Sequence, residues 1–285
     1  MDFHSLISVI RDIRGKNICL VMNSFLQSIM AERRNDAWQA SANLPLERLE
    51  RIVVEFPKIC SLRERLARME NHRHKASIIA EVKKASPSAG LLCESYNPAA
   101  LAKIYEQAGA IGVSVLTEPR HFLGRDEDLK QVRQAVNLPL LRKDFISDPY
   151  QVFETRVLGA DVILLIVAGL EGCLLNDLYI IARAVGLDVI VEVHTRDEMD
   201  RVLPLDQAII GVNSRDLNTL KTDLACARNL ASLIPPGRLA IAESGIKSRN
   251  DIEDLQAHGY NGFLIGESLM KSDNAAATLN TLSGN

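Results

Sequence analysis

Ile79-Ala80-Glu81-Val82-Lys83-Lys84-Ala85-Ser86-Pro87-Ser88 and Leu141-Arg142-Lys143-Asp144-Phe145 decide the reading of this chain. Each opens on an apolar run that reads as a buried strand, then sets charged groups where that strand should end. A charge beside an apolar interior is costly unless it is paired or used. The arrangement returns at Val191-Glu192-Val193, at Gly211-Val212-Asn213-Ser214-Arg215 and at Ala242-Glu243-Ser244-Gly245. Polar groups at the C-terminal ends of several parallel strands describe the active face of a (β/α)8 barrel.

Working outward, strands are expected near Ser77 to Val82, Ile111 to Leu116, Leu138 to Arg142 and Asp161 to Val167. Four more fall near Leu187 to Val193, Ala208 to Val212, Arg238 to Ala242 and Asn261 to Ile265. They are rich in Ile, Val and Leu without strict alternation, as expected for parallel strands covered on both faces. Strand and helix patterns alternating eight times imply a closed α/β barrel. An open doubly wound sheet would carry a Gly-rich phosphate turn after its first strand; Lys83 to Ser88 is not one. Helix starts are read at Asn97-Pro98, at Asp148-Pro149 and at Ser248, where Asp251 completes a capping box. Gly109, Gly159 and Gly259 read as the matching stops.

Residues 1–76 read as a helical extension that joins the barrel, 77–285, in one domain. Leu44 to Leu49 and Ser61 to Met69 are helix candidates within it. Ile18 to Met30 follows Arg11, Arg14 and Lys16 and superficially resembles a secretion signal. Asn23, Ser24, Gln27 and Ser28 interrupt it, so an amphipathic helix is the expectation.

A net charge of −3 gives no case for nucleic acid as a partner. No run reaches the ~18 apolar residues of a membrane span. The five cysteines, Cys19, Cys60, Cys93, Cys173 and Cys226, are scattered without metal-ligand spacing. They are expected to be free thiols in a reducing, cytoplasmic compartment. Neither a metal nor a redox cofactor is expected. His72-Arg73-His74-Lys75 reads as a solvated basic loop, and neither His121 nor His194 has partner geometry for catalysis.

At this point the blocks resemble one family. Ile79 to Ser88, Ser114-Val115-Leu116-Thr117-Glu118 with Phe122, Leu141 to Pro149, Gly159-Ala160-Asp161, Val191-Glu192-Val193, Gly211 to Leu217, Ala242 to Lys247 and Phe263 to Met270 are similar to indole-3-glycerol-phosphate synthases, in order and at compatible spacings. The pattern departs at Cys93, where an Arg usually lies nearby, at Arg125, often Ser, and at Ser214, often Asn. Family members commonly begin near Met22, so residues 1–21 look additional.

The resemblance implies a (β/α)8 fold with an N-terminal extension. It also implies closure of 1-(2-carboxyphenylamino)-1-deoxyribulose 5-phosphate to indole-3-glycerol phosphate, with loss of CO2 and water, in tryptophan biosynthesis. Association with other tryptophan-pathway enzymes is compatible with it. Lys143 would be the general acid, with its pKa lowered towards neutrality by desolvation. Its bland alternative is a rim lysine paired with Asp144 or another carboxylate. Glu192 would be base or electrostatic partner for the cationic intermediate, and pairing with a lysine is compatible with that. Glu81 and Lys83, two apart on one strand, face the same side. By resemblance Lys83 would meet the substrate carboxylate, and Glu81 would serve in dehydration.

Asn213 and Arg215 would hold substrate hydroxyls, unless Arg215 simply pairs with Asp216 or Glu192. Ser86, Glu243 and Ser244 would also face substrate. Phe122 and Leu164 would wall its ring, or be ordinary core. Gly245, Gly266 and the Glu267 N–H, after the seventh and eighth strands, would bind phosphate. Two rivals share parts of this pattern. Phosphoribosylanthranilate isomerase uses a Cys/Asp acid–base pair, and a non-catalytic barrel would bind a phosphorylated ligand without turnover.

Overall fold

The computed structural model of the chain describes residues 24–69, 75–93, 95–217 and 219–284. Readings on residues 1–21, on Cys19 and on His72 to His74 lie outside the described residues. Among the described residues three helices precede the barrel: α1 (Phe25–Asn43), α2 (Leu46–Val54) and α3 (Leu62–Met69). The first barrel strand, β1 (Ile78–Val82), is followed by a small hairpin of β2 (Ala85–Ser86) and β3 (Gly90–Leu91). Then come α4 (Pro98–Gln107), β4 (Gly112–Leu116), α5 (Asp126–Ala135), β5 (Leu140–Lys143), α6 (Pro149–Val157), β6 (Val162–Ile166) and α7 (Leu174–Ala184). The last are β7 (Asp188–Val193), α8 (Arg196–Val202), β8 (Ile209–Asn213), α9 (Ala225–Ala231), β9 (Ala240–Glu243), α10 (Arg249–Ala257), β10 (Gly262–Ile265), α11 (Glu267–Met270) and α12 (Ala275–Ser283).

The closed barrel runs β1-β10-β9-β8-β7-β6-β5-β4, parallel throughout. All eight expected strands are present. Three run one residue further than expected, so that β5, β8 and β9 end on Lys143, Asn213 and Glu243 themselves. Backbone pairing continues under a charged side chain as long as that side chain finds a partner in the barrel mouth. The register sets Leu116 beside Lys143, Ile166 beside Glu192 and Asn213 beside Glu243, on one rim.

The helix starts follow from their caps. Asn97 accepts from Ala100 N, and Ser248 and Asp251 form the expected capping box. Asp148 forms another with Gln151, and Gly109 ends α4 at φ +90°, where a glycine is unstrained. Of the Ile18 to Met30 reading, Ile18 to Asn23 lie outside the described residues; Ser24 caps α1 by accepting from Gln27 N. Its buried positions Leu26, Ile29, Met30, Arg33 and Ala37 form one face at helical spacing. On that face Arg33 meets Asp144 with two bonds, Nε to Oδ1 at 2.9 Å and Nη2 to Oδ2 at 2.7 Å. Thr117 Oγ1 donates to the same carboxylate at 2.6 Å, and Arg142 lies 3.3 Å away.

At the opposite end of the barrel, Leu62 and Leu66 of α3 press on Gly112 and Gly262, the first residues of β4 and β10. Asp161 and Asp188 fasten that end by accepting from Cys60 N and Arg63 N. The four described cysteines are free thiols. Among the described residues no helix is long and apolar enough to cross a membrane.

Burial would raise the Asp144 carboxyl, but Arg33 and Arg142 hold it well below the usual carboxylate range. Arg33→Met leaves a buried anion short of its main partner. Stability measured by urea unfolding should fall by about 3 kcal/mol, and a loss under about 1 kcal/mol would mean that the pair contributes little.

Candidate active site

Every side chain at the rim inherits its direction from strand alternation. Arg142 on β5 and Asp144 just after it point away from the barrel axis, where Asp144 pairs with both Arg142 and Arg33, while Lys143 points inward. Its Nζ lies 2.8 Å from Glu192 Oε2 and 3.0 Å from Glu243 Oε2. Asn213 Nδ2 donates to the other Glu192 oxygen at 3.1 Å. Glu192 and Glu243 are only 3% and 1% exposed, so the charges of the trio act on one another in a nearly dry mouth.

The expected depression of the Lys143 pKa is not found. Burial does act to lower it, but the charges of Glu192, Glu243 and Glu81 together reverse the effect, and the pKa is raised. Burial likewise acts to raise the Glu192 carboxyl, while Lys143 and the bonds from Lys143 and Asn213 hold it below its ordinary value. Glu243 is pushed up from 4.5 to about 7, by burial first and by the Glu192 charge against the opposing pull of Lys143. At neutral pH the group closest to exchanging a proton is therefore Glu243, beside a lysine that keeps its own.

Glu81 and Lys83 form the second charged pair, Nζ to Oε1 at 2.5 Å. Lys143 thus finds its carboxylates across the mouth, in Glu192 and Glu243, and not in the adjacent Asp144. Arg215 Nη1 donates to Ser88 Oγ at 2.8 Å and Nη2 to Glu267 Oε2 at 3.0 Å, tying the turn after β1 to the start of α11. Its backbone N–H donates to Asn213 Oδ1 at 2.9 Å.

One cavity of about 1100 Å3, counting the part open to solvent, is lined by Glu81, Lys83, Ser86, Phe122, Lys143, Leu164, Glu192, Asn213, Arg215, Glu243, Ser244, Gly245, Gly266 and Glu267. The structure therefore brings together every residue singled out from sequence. Phe122 and Phe145 face each other with ring centroids 6.0 Å apart. Glu118 shapes that wall, because its carboxylate accepts from the N–H groups of Arg120, His121 and Phe122.

At the other end, Ser244 and Gly245 are consecutive left-handed residues, φ +66° and +82°, and Gly266 precedes α11. Ser268 Oγ donates to Ile246 O at 2.8 Å and holds the two turns together. The Glu267 carboxylate is taken up by Arg215 and by Lys271 at 2.7 Å. His194 Nδ1 donates to the Asn213 carbonyl oxygen at 2.7 Å, and His121 lies edge-on to Phe25; neither lines the cavity.

Sequence reasoning missed part of the lining. Phe25 and Leu26 of α1 reach the cavity, as do Phe145, Leu217 and Leu220. Phe145 carried a signal, since it closes the block around Lys143. Phe25 and Leu26 carried none, because nothing local says that the extension returns to the rim. Cys93, Arg125 and Ser214 do not line the cavity, and Arg125 pairs instead with Asp128.

Residues 26–282 match the family model described as Indole-3-glycerol phosphate synthase. The chain belongs to that family. It is 46% identical over 264 residues to the indole-3-glycerol phosphate synthase of Koribacter versatilis, covering 92% of this chain and all of that one. The synthases of Carboxydothermus hydrogenoformans and Legionella pneumophila (strain Paris) are 41% and 42% identical over 262 and 261 residues. These cover 90% and 92% of this chain, and 99% of each relative. The match begins at residue 26, inside α1, so the part of the extension from there to the barrel lies within the family's own range.

A raised carboxyl pKa makes stability depend on pH. In the folded protein Glu243 holds a proton between pH 4.5 and about 7 that the unfolded chain has released, so its contribution is present below that window and lost as pH rises through it. Gln mimics the protonated form at every pH. Glu243→Gln should therefore gain Tm relative to the unaltered chain on going from pH 5 to pH 8, and a difference that stays flat across that range would contradict the shift.

Proposed function

We propose that this chain converts 1-(2-carboxyphenylamino)-1-deoxyribulose 5-phosphate to indole-3-glycerol phosphate, CO2 and water, as a carbon–carbon lyase of tryptophan biosynthesis in the cytoplasm. The observation that carries the reading is the Lys143 ammonium held between two buried carboxylates in a cavity with an aromatic wall at one end and a paired backbone turn at the other.

Ring closure joins the aromatic carbon that bears the carboxylate to the ketone C2. Negative charge gathers on the C2 oxygen and positive charge on the ring and its nitrogen. Lys143 delivers a proton to that oxygen, and its high pKa keeps it loaded. Glu192 stabilises the developing cation, an effect that is large in a preorganised site of low dielectric. Lys83 meets the carboxylate until CO2 departs and the ring electrons return. Glu81 acts in the dehydration that follows, where the C2 hydroxyl leaves as water. Asn213, Arg215, Ser86, Glu243 and Ser244 hold the hydroxyl-bearing chain. Gly245, Gly266 and the Glu267 N–H take the phosphate, whose binding energy fixes the reacting ring. Phe122 and Leu164 flank the ring. The 1–76 extension and the barrel act as one domain, since α1 supplies wall to the same cavity.

A Cys/Asp isomerase is disfavoured, because no cysteine lines the cavity among the described residues. Mixing the purified chain with the carboxyphenylamino substrate should generate indole fluorescence. Lys143→Ala should lower kcat by about 10² to 10⁴, and a variant that keeps a third of the rate would remove Lys143 from the acid's role.

The phosphate site has its own test. Inorganic phosphate should compete with substrate, and Gly245→Val should raise KM strongly. That Cβ would lie 2.8 Å from Thr222 Cγ2 at a positive φ, so the turn must shift. An unchanged KM, with no competition, would move the phosphate elsewhere.

A further inference from the structure

Gly211 sits inside β8, between buried Ile210 and Val212. Glycine within a strand loses more entropy on folding than other residues and packs nothing, so its presence there needs a physical reason. A Cβ at Gly211 would overlap Glu243 Oε1 and lie 2.9 Å from Ile190 Cγ2. The Glu243 side chain has little freedom to withdraw. It is buried, its Oε2 holds Lys143 at 3.0 Å, and its Oε1 has no hydrogen-bond partner among the described residues. The unpartnered oxygen thus lies against the bare Cα of the neighbouring strand. The same relation holds once more on the rim, where a Cβ at Gly266 would overlap Glu81 Oε1.

We propose that Gly211 is a positioning residue for the reaction: its missing side chain is the notch in which the Glu243 carboxylate lies and from which it reaches Lys143. The inference rests on the reading of Lys143 as the acid. It adds that the lysine's place between two carboxylates depends on a residue that touches neither lysine nor substrate. Without the notch, the Glu243 carboxylate must swing into the cavity, leaving Lys143 held by Glu192 alone.

Crystal structures and kinetics of Gly211→Ala, Glu243→Asp and the double variant test this. In Gly211→Ala the Lys143–Glu243 separation should open beyond about 3.5 Å. Its kcat should fall about 10- to 100-fold with KM within about threefold, the pattern of lost alignment and not of lost binding. Glu243→Asp alone should also slow turnover. Added to Gly211→Ala, the shorter side chain clears the new methyl, so the double variant should turn over faster than Gly211→Ala. An unchanged separation, or losses that simply multiply, would overturn the proposal. So would a Gly211→Ala chain that fails to fold and is not restored by Glu243→Asp, since the glycine would then serve Ile190. Absence of turnover in the unaltered chain would count against the functional reading, whereas the separations test the notch by themselves.

Discussion

Three consecutive charged residues, Arg142, Lys143 and Asp144, stand where β5 ends and just beyond it, and the alternation of the chain sends them to opposite sides. Lys143 goes into the mouth, where the closed barrel brings it carboxylates from β7 and β9. Arg142 and Asp144 go outward, into the layer between barrel and helices, where water is scarce and each must be matched. Asp126 and Glu154 meet Arg142 at 3.0 and 2.8 Å, and Arg33 meets Asp144. An unmatched charge on either side would be severely destabilising. The strand thus couples two polar networks through its backbone: one inside the barrel mouth around Lys143, and one that anchors α1 over the rim.

Much of this was legible because strand and charge occur side by side in the chain. A run such as Ile78 to Val82 with Glu81 and Lys83 shows locally where the apolar layer stops, and such a stop is found in order at Lys143, Glu192, Asn213 and Glu243 as well. What was not legible depends on separation along the chain. Arg33 lies 111 positions from Asp144, and nothing around either announces the other. The direction of the Lys143 pKa failed for the same reason. Burial can be inferred from neighbours in sequence, but Glu243, 100 positions away, cannot. Glycines are read from sequence as turns or as freedom. At Gly211 the residue sits in regular strand, and its meaning lies in the side chain of another strand.

The two ends of the barrel divide the work. At the far end α3 lays Leu62 and Leu66 on glycines and two aspartates accept backbone N–H groups, an arrangement concerned with cohesion alone. At the near end buried carboxylates, consecutive left-handed residues at Ser244 and Gly245, and a half-buried lysine are all costly, and the first end supplies the stability that tolerates them. Conformational strain of this kind is sustained where surrounding structure over-determines it.

The plug formed by α3 has a consequence for traffic. With one end of the barrel stoppered by leucine, the cavity is a cup and not a tunnel. Whatever enters past α1 and the turn after β1 leaves by the same door. Arrival and departure therefore exclude each other, and a molecule lingering at the turns after β9 and β10 bars the next from the whole vessel.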